Sequence, residues 1–105
     1  MNKLAKRIHD LAKEKGWYDS VRSPLETHMR IVGEVAEASE EVRNGSESLY
    51  YGDDGKPLGE LSELADALIF ILDYCAYNNW DIEAAVDEKI EYNKTRSYRH
   101  GGKKY

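Results

Sequence analysis

Glu34-Val35-Ala36-Glu37 and Glu63-Leu64-Ala65-Asp66 are two acidic quartets separated by 25 residues, each set in a segment with helix-like apolar spacing. On an α-helix, residues three apart lie one above the other, separated by about 4.5 Å of rise and roughly 60° of rotation. Each pair therefore aims two carboxylates at one point. Four carboxylates gathered together repel, raise one another's pKa values and oppose folding until a cation neutralises them. Hard, all-oxygen sets of this kind suit Mg²⁺ or Mn²⁺.

The segments around the quartets read as helices. Ser23-Pro24-Leu25-Glu26 supplies an N-cap, a proline at the first helical position and a capping-box glutamate, and Asn44-Gly45 ends the helix. Leu25, Val32, Val35, Ala36 and Val42 form its apolar arc, while Glu34, Glu37 and Glu41 cluster with Arg30 on the other side. Alone, that acidic side is an ordinary solvated face. The segment from about Gly59 to Asn78 is apolar nearly all round, and a helix of that kind is buried on more than one side. In a chain of 105 residues the extra cover is expected from a second subunit, giving a dimer or a tetramer. Glu63, Asp66 and Asp73 share one side of this helix with Ile69, Phe70 and Tyr77. Carboxylates among such residues need a partner or a metal, which shifts the reading from solvated face to site. For Asp73 a cap, or pairing with a tyrosine or lysine, is the competing assignment. The connection between the two helices, with Tyr50, Tyr51 and the turn Asp53-Asp54-Gly55, reads as a polar, mobile loop. Its spacing matches neither a calcium loop nor a phosphate loop.

Two further helices flank this pair. Residues 2 to 15 place Leu4, Ile8, Leu11 and Ala12 at helical spacing among lysines, and Gly16 ends that scaffold helix before Trp17 and Tyr18. Asp81 caps a fourth helix with an apolar stripe of Ile82, Ala85, Val86 and Ile90. Lys89, Asn93 and Arg96 fall on that same stripe and are expected to point inward, toward the acids. A metal and phosphate site and a structural salt-bridge network both account for this spacing. The expectation is thus one all-α domain over 1-105, built as a four-helix bundle, with a basic tail at about 95-105.

Composition excludes several classes. The chain is 33% charged and 41% apolar, which marks a globular domain. A formal charge of -5 argues against general nucleic-acid affinity, yet residues 94 to 105 carry Lys94, Arg96, Arg99, Lys103 and Lys104 with no acid, a tail suited to a small polyanion. The single cysteine, Cys75, sits in an apolar run and reads as a buried, inert thiol. No membrane span or leader is legible, so a cytoplasmic location is expected. Nucleophile elbows and Walker loops are absent from the sequence, and His9, His28 and His100 lack zinc-ligand spacing. Trp17 and His28 are candidates for a base pocket, against the plainer roles of packing and surface.

The series Gly33-Glu34-Val-Ala-Glu37, Glu63-Leu-Ala-Asp66 and Glu88-Lys89 through Asn93-Lys94-Thr95-Arg96 resembles the MazG-like nucleotide pyrophosphohydrolases of the all-α NTP pyrophosphatase superfamily, from about Pro24 onward. The resemblance implies a helical bundle assembled as dimers or tetramers that uses Mg²⁺ to hydrolyse a nucleoside triphosphate to the monophosphate and pyrophosphate. It matches Glu34, Glu37, Glu63 and Asp66 to the metal-binding acids, and Lys89, Asn93 and Arg96 to phosphate-binding positions. Glu37 or Glu34 then becomes the candidate base. Just before the first motif acid, where the family often has another glutamate, this chain has Gly33. Phosphoribosyl-ATP, dUTP or dCTP are alternative substrates within the superfamily. A non-enzymatic helical module that binds a protein or a regulatory cation is the alternative outside it.

Overall fold

The computed structural model describes residues 1–18 and 23–96. In chain order it contains α1 (Asn2–Glu14), α2 (Pro24–Arg43), β1 (Tyr50–Tyr51), β2 (Pro57–Leu58), α3 (Glu60–Tyr77) and α4 (Ile82–Lys94). The protein is mostly helical, as the periodicity predicts.

The caps fall where the side chains can make them. Ser23 Oγ accepts from the Glu26 N–H at 3.5 Å, and Pro24 opens α2 where a missing N–H costs nothing. Asp81 Oδ1 accepts from the Ala84 N–H at 2.9 Å and starts α4. Between these helices α3 is the central element, with α2 packed along one side and α1 along another. Its apolar girdle is the reason: two neighbours can cover it only if they approach from different directions. Ala5, Ala12, Ala38 and Ala67 are buried at these contacts and let the helices come close. Leu72 is the one large apolar side chain among the described residues that is fully buried, and Cys75 and Tyr74 lie beside it. Burial pushes the Cys75 thiol up, away from the reactive thiolate.

Two expectations are corrected. The connection from α2 to α3 is an ordered hairpin, in which antiparallel β1 and β2 pair Tyr50 with Leu58 and Tyr51 with Pro57. The Gly52 N–H donates to Lys56 O at 2.9 Å across the turn, and Tyr50 OH donates to the Glu41 carboxylate at 3.0 Å, fastening the hairpin to α2.

The second correction concerns α4, which has no buried residue and does not close a four-helix bundle within one chain. The chain leaves α3 through Asn79 in the left-handed region (φ 57°), with the Trp80 N–H donating to Cys75 O at 2.9 Å. Asn2 Nδ2 donates to Asp81 Oδ1 at 2.8 Å, and the amino group of Met1 pairs with Glu83 at 2.8 Å. These contacts hold the start of α4 against the start of α1 and send the rest outward. The radius of gyration is 16.6 Å, against about 13 Å for a compact domain of this length. No helix among the described residues is long and apolar enough to cross a membrane. Of the basic tail, only Thr95 and Arg96 lie within the described residues; Arg99, Lys103 and Lys104 lie outside them.

Candidate metal centre

The α2–α3 pairing sets the register of the acids. Glu34 and Glu37 stand one turn apart on α2, and the hairpin delivers the first turns of α3 beside them. Carboxylate oxygens of Glu34, Glu37 and Glu63 lie within 4.8 Å of one another. Oxygens on opposite sides of an octahedral Mg²⁺ are about 4.2 Å apart, so small rotamer changes would seat one ion among the three. The donor set is all oxygen, which fits Mg²⁺ or Mn²⁺ and disfavours softer metals.

Asp66 lies next to this trio without belonging to it. Burial raises its carboxyl above the usual range, the charge on Glu37 adds to the rise, and Lys56 opposes it. Burial is also the first cause of the rise at Glu63; hydrogen bonds to Glu34 and Glu37, and their charges, then push it up to about 7. Glu34 is raised chiefly by burial, with the charges of Glu37 and Asp66 adding to it. Glu34, Glu63 and Asp66 are half-buried, whereas Glu37 is exposed to solvent. Without a cation Glu63 therefore gives up its proton only near neutral pH, well above the range of an isolated carboxylate.

The remaining candidates divide. Trp17 stacks on Phe70 with ring centroids 6.2 Å apart and planes 24° from parallel. His28 meets the edge of Tyr74 at 5.9 Å. Glu63, Asp66, Phe70 and Tyr74 follow one another at three- and four-residue steps on one face of α3, so an aromatic shelf begins one turn beyond the acids. Lys89, Asn93 and Arg96 do not point inward in the single chain: all three are exposed, and Arg96 sits over the Tyr92 ring at 5.9 Å. The charges that act on Glu34, Glu63 and Asp66 come from within the cluster and from Lys56, not from α4.

Asp73 is separate from the metal set. It is 1% exposed, with His9 Nδ1 2.9 Å from Oδ1 and the Tyr18 hydroxyl donating to Oδ2. The tyrosine partner is the kind its competing assignment expected; the histidine is not. Sequence reasoning also missed Lys56, which the hairpin brings near Asp66 from a segment with no periodic signal.

Comparison with protein-family models, with curated proteins and with solved structures finds no match for this chain.

Proposed function

We propose that the protein is a Mg²⁺-dependent nucleoside triphosphate pyrophosphohydrolase, acting as a dimer or tetramer and yielding the monophosphate and pyrophosphate. The observation that carries this reading is the convergence of Glu34, Glu37 and Glu63, with Asp66 adjacent, on one unneutralised point. The sequence resemblance to MazG-like enzymes supplies the reaction class, since carboxylate clusters alone serve many chemistries.

In this reading Glu34, Glu37 and Glu63 would hold the ion, with Asp66 beside them as the fourth carboxylate of the set. A bound Mg²⁺ supplies charge neutralisation at the phosphate oxygens and a template for in-line attack. The Trp17–Phe70 stack, one turn along α3, suits a nucleobase placed beside the phosphates. Lys56 lies close enough to offset negative charge at Asp66. Glu37 is the solvent-facing carboxylate and orients the attacking water, with Glu34 as the other candidate base. Lys89, Asn93 and Arg96 serve the phosphates from a second copy of the chain.

The test is an incubation with a panel of ribo- and deoxynucleoside triphosphates, with Mg²⁺ or EDTA, and products separated by chromatography. Monophosphate plus pyrophosphate, abolished by EDTA, is expected. Glu37→Gln and Asp66→Asn should each lower turnover by about 100-fold or more while leaving the helical circular dichroism unchanged. Diphosphate plus phosphate would place the chemistry at the wrong phosphorus. Absence of turnover with every triphosphate and with phosphoribosyl-ATP would favour a binding module.

A further inference from the structure

A cavity of about 600 Å³ opens between α1 and the turn joining α3 to α4. It lies about 15–20 Å from the acidic cluster, at 1.5 Å of rise per residue along α3. Its α1 wall carries Asn2, Lys6, His9 and Lys13, whose spacing of four, three and four residues stacks them on one helix face. The facing wall includes Tyr77, Asn79 and Trp80.

His9 is fixed from behind. Its Nδ1 is engaged by Asp73, a carboxylate almost fully removed from solvent, and its ring meets the edges of Tyr18 at 4.9 Å and Tyr77 at 6.1 Å. That leaves Nε2, which has no hydrogen-bond partner among the described residues, as the ring nitrogen presented to the cavity. The contact with the buried acid fixes the orientation of the ring, whose outer edge lines the cavity between Lys6 and Lys13.

The acids on the cavity wall are already satisfied. Asp10 accepts from Lys6 Nζ at 2.8 Å, and that contact first, then its charge and that of Lys13, hold its carboxyl below the usual range. Asp81 is held low by Asn2 and by the Ala84 N–H it caps. What remains to be matched is donors: the ammonium hydrogens that Lys6 and Lys13 do not spend on Asp10, and the amide of Asn79. An exposed lysine–aspartate pair is weak, so a dianion can recruit both lysines without displacing anything well held.

We propose that this cavity binds a phosphomonoester carrying a planar ring, its phosphate on Lys6 and Lys13 beside the His9 ring, and its own ring against Tyr77 and Trp80. Phosphate fits better than a carboxylate because two ammonium groups on one helix face match its double charge. The ring is called for by two partly exposed aromatic side chains on the opposite wall. The assignment stands independently of the function proposed for the acidic cluster.

The experiment is a titration of the full chain in EDTA with AMP, glycerol phosphate and inorganic phosphate, followed by ¹H–¹⁵N NMR. There are two tryptophans, one in the cavity and one on Phe70, so the two indole N–H signals report the two regions separately. AMP should shift the Trp80 indole saturably and leave Trp17 in place, and glycerol phosphate should bind more weakly. The exposed double variant Lys6→Gln/Lys13→Gln should raise Kd by about tenfold or more, while Glu63→Gln leaves it unchanged. An unmoved Trp80 signal at millimolar AMP would overturn the proposal. So would a Kd indifferent to the lysine pair, or one that rises equally in Glu63→Gln. Inorganic phosphate binding as tightly as AMP would remove the ring from it.

Discussion

Glu63 concentrates the electrostatic cost of the acidic cluster in one carboxyl. Folding moves it from the ordinary glutamate value of 4.5 to about 7, so between those pH values the native chain keeps a proton that the unfolded chain gives up. Its contribution to stability is therefore complete below about pH 4.5 and is lost as pH rises toward 7. In EDTA, the melting temperature should fall between about pH 5 and 7.5 more steeply than in Glu63→Gln, and Mg²⁺ added at the upper pH should restore it. Parallel profiles for the two proteins, with no response to Mg²⁺, would remove the ion from this site. Asp73 is a buried acid of another kind, with both oxygens hydrogen-bonded inside the chain. Replacing it with alanine removes the hydrogen-bond partner of His9 Nδ1 and should cost about 2–4 kcal/mol in urea unfolding, with the acidic cluster's response to Mg²⁺ retained. The three-residue spacing of Glu34/Glu37 and Glu63/Asp66 was legible because a helix converts it directly into shared direction. The partner of Asp73 was not, because His9 lies 64 residues away and only the packing of α1 on α3 brings the two together.

Among the elements, the hairpin between α2 and α3 shows what periodicity misses. Two strands of two residues each contain too few positions for alternation to register, so turn residues dominated the reading and an ordered connector looked like a mobile loop. Its consequence is positional: Tyr50 anchors it on Glu41, and Lys56 ends up near Asp66. Gly59 then turns the chain into α3 at φ 109°, a conformation open to glycine. A Cβ there would sit 2.5 Å from Ser48 O and 2.7 Å from Glu47 O, both rigid backbone atoms. Gly59→Ala should therefore destabilise the fold by about 2–4 kcal/mol, combining the φ strain with displacement of the hairpin. It should also weaken the Mg²⁺-induced rise in melting temperature, because the register of α3 against α2 changes. A fully stable Gly59→Ala protein would mean that the junction adjusts freely. The caps at Ser23 and Asp81, by contrast, were legible from sequence because each is satisfied within three residues.

At the scale of the whole molecule, a single copy leaves too much apolar surface uncovered. Leu25 is 73% exposed, and Met29, Val32, Val35 and Val42 continue the same face of α2, with Leu64 of α3 beside it. Contiguous apolar surface of that kind marks an interface, and a second copy is the expected cover because homodimers are the commonest closed assembly. The all-α class could be read from sequence, but the direction of α4 could not, since its stripe of Ile82, Val86 and Ile90 says that it packs and not on which copy. If α4 packs across the dimer, Lys89 and Arg96 reach the partner's acids, and each site takes carboxylates from one chain and cations from the other. Light scattering should then report a dimer or tetramer, and Val32→Glu/Val35→Glu should shift it toward monomer. Mixing two inactive proteins, Glu37→Gln and Arg96→Ala, tests the sharing itself. In a randomly exchanged dimer, half the molecules are mixed and each has one site free of both substitutions, so about a quarter of wild-type turnover should return. Mixtures that stay inactive despite exchange would confine the α4 cations to their own chain or exclude them from the reaction. A stable wild-type monomer would end the argument for a shared site altogether.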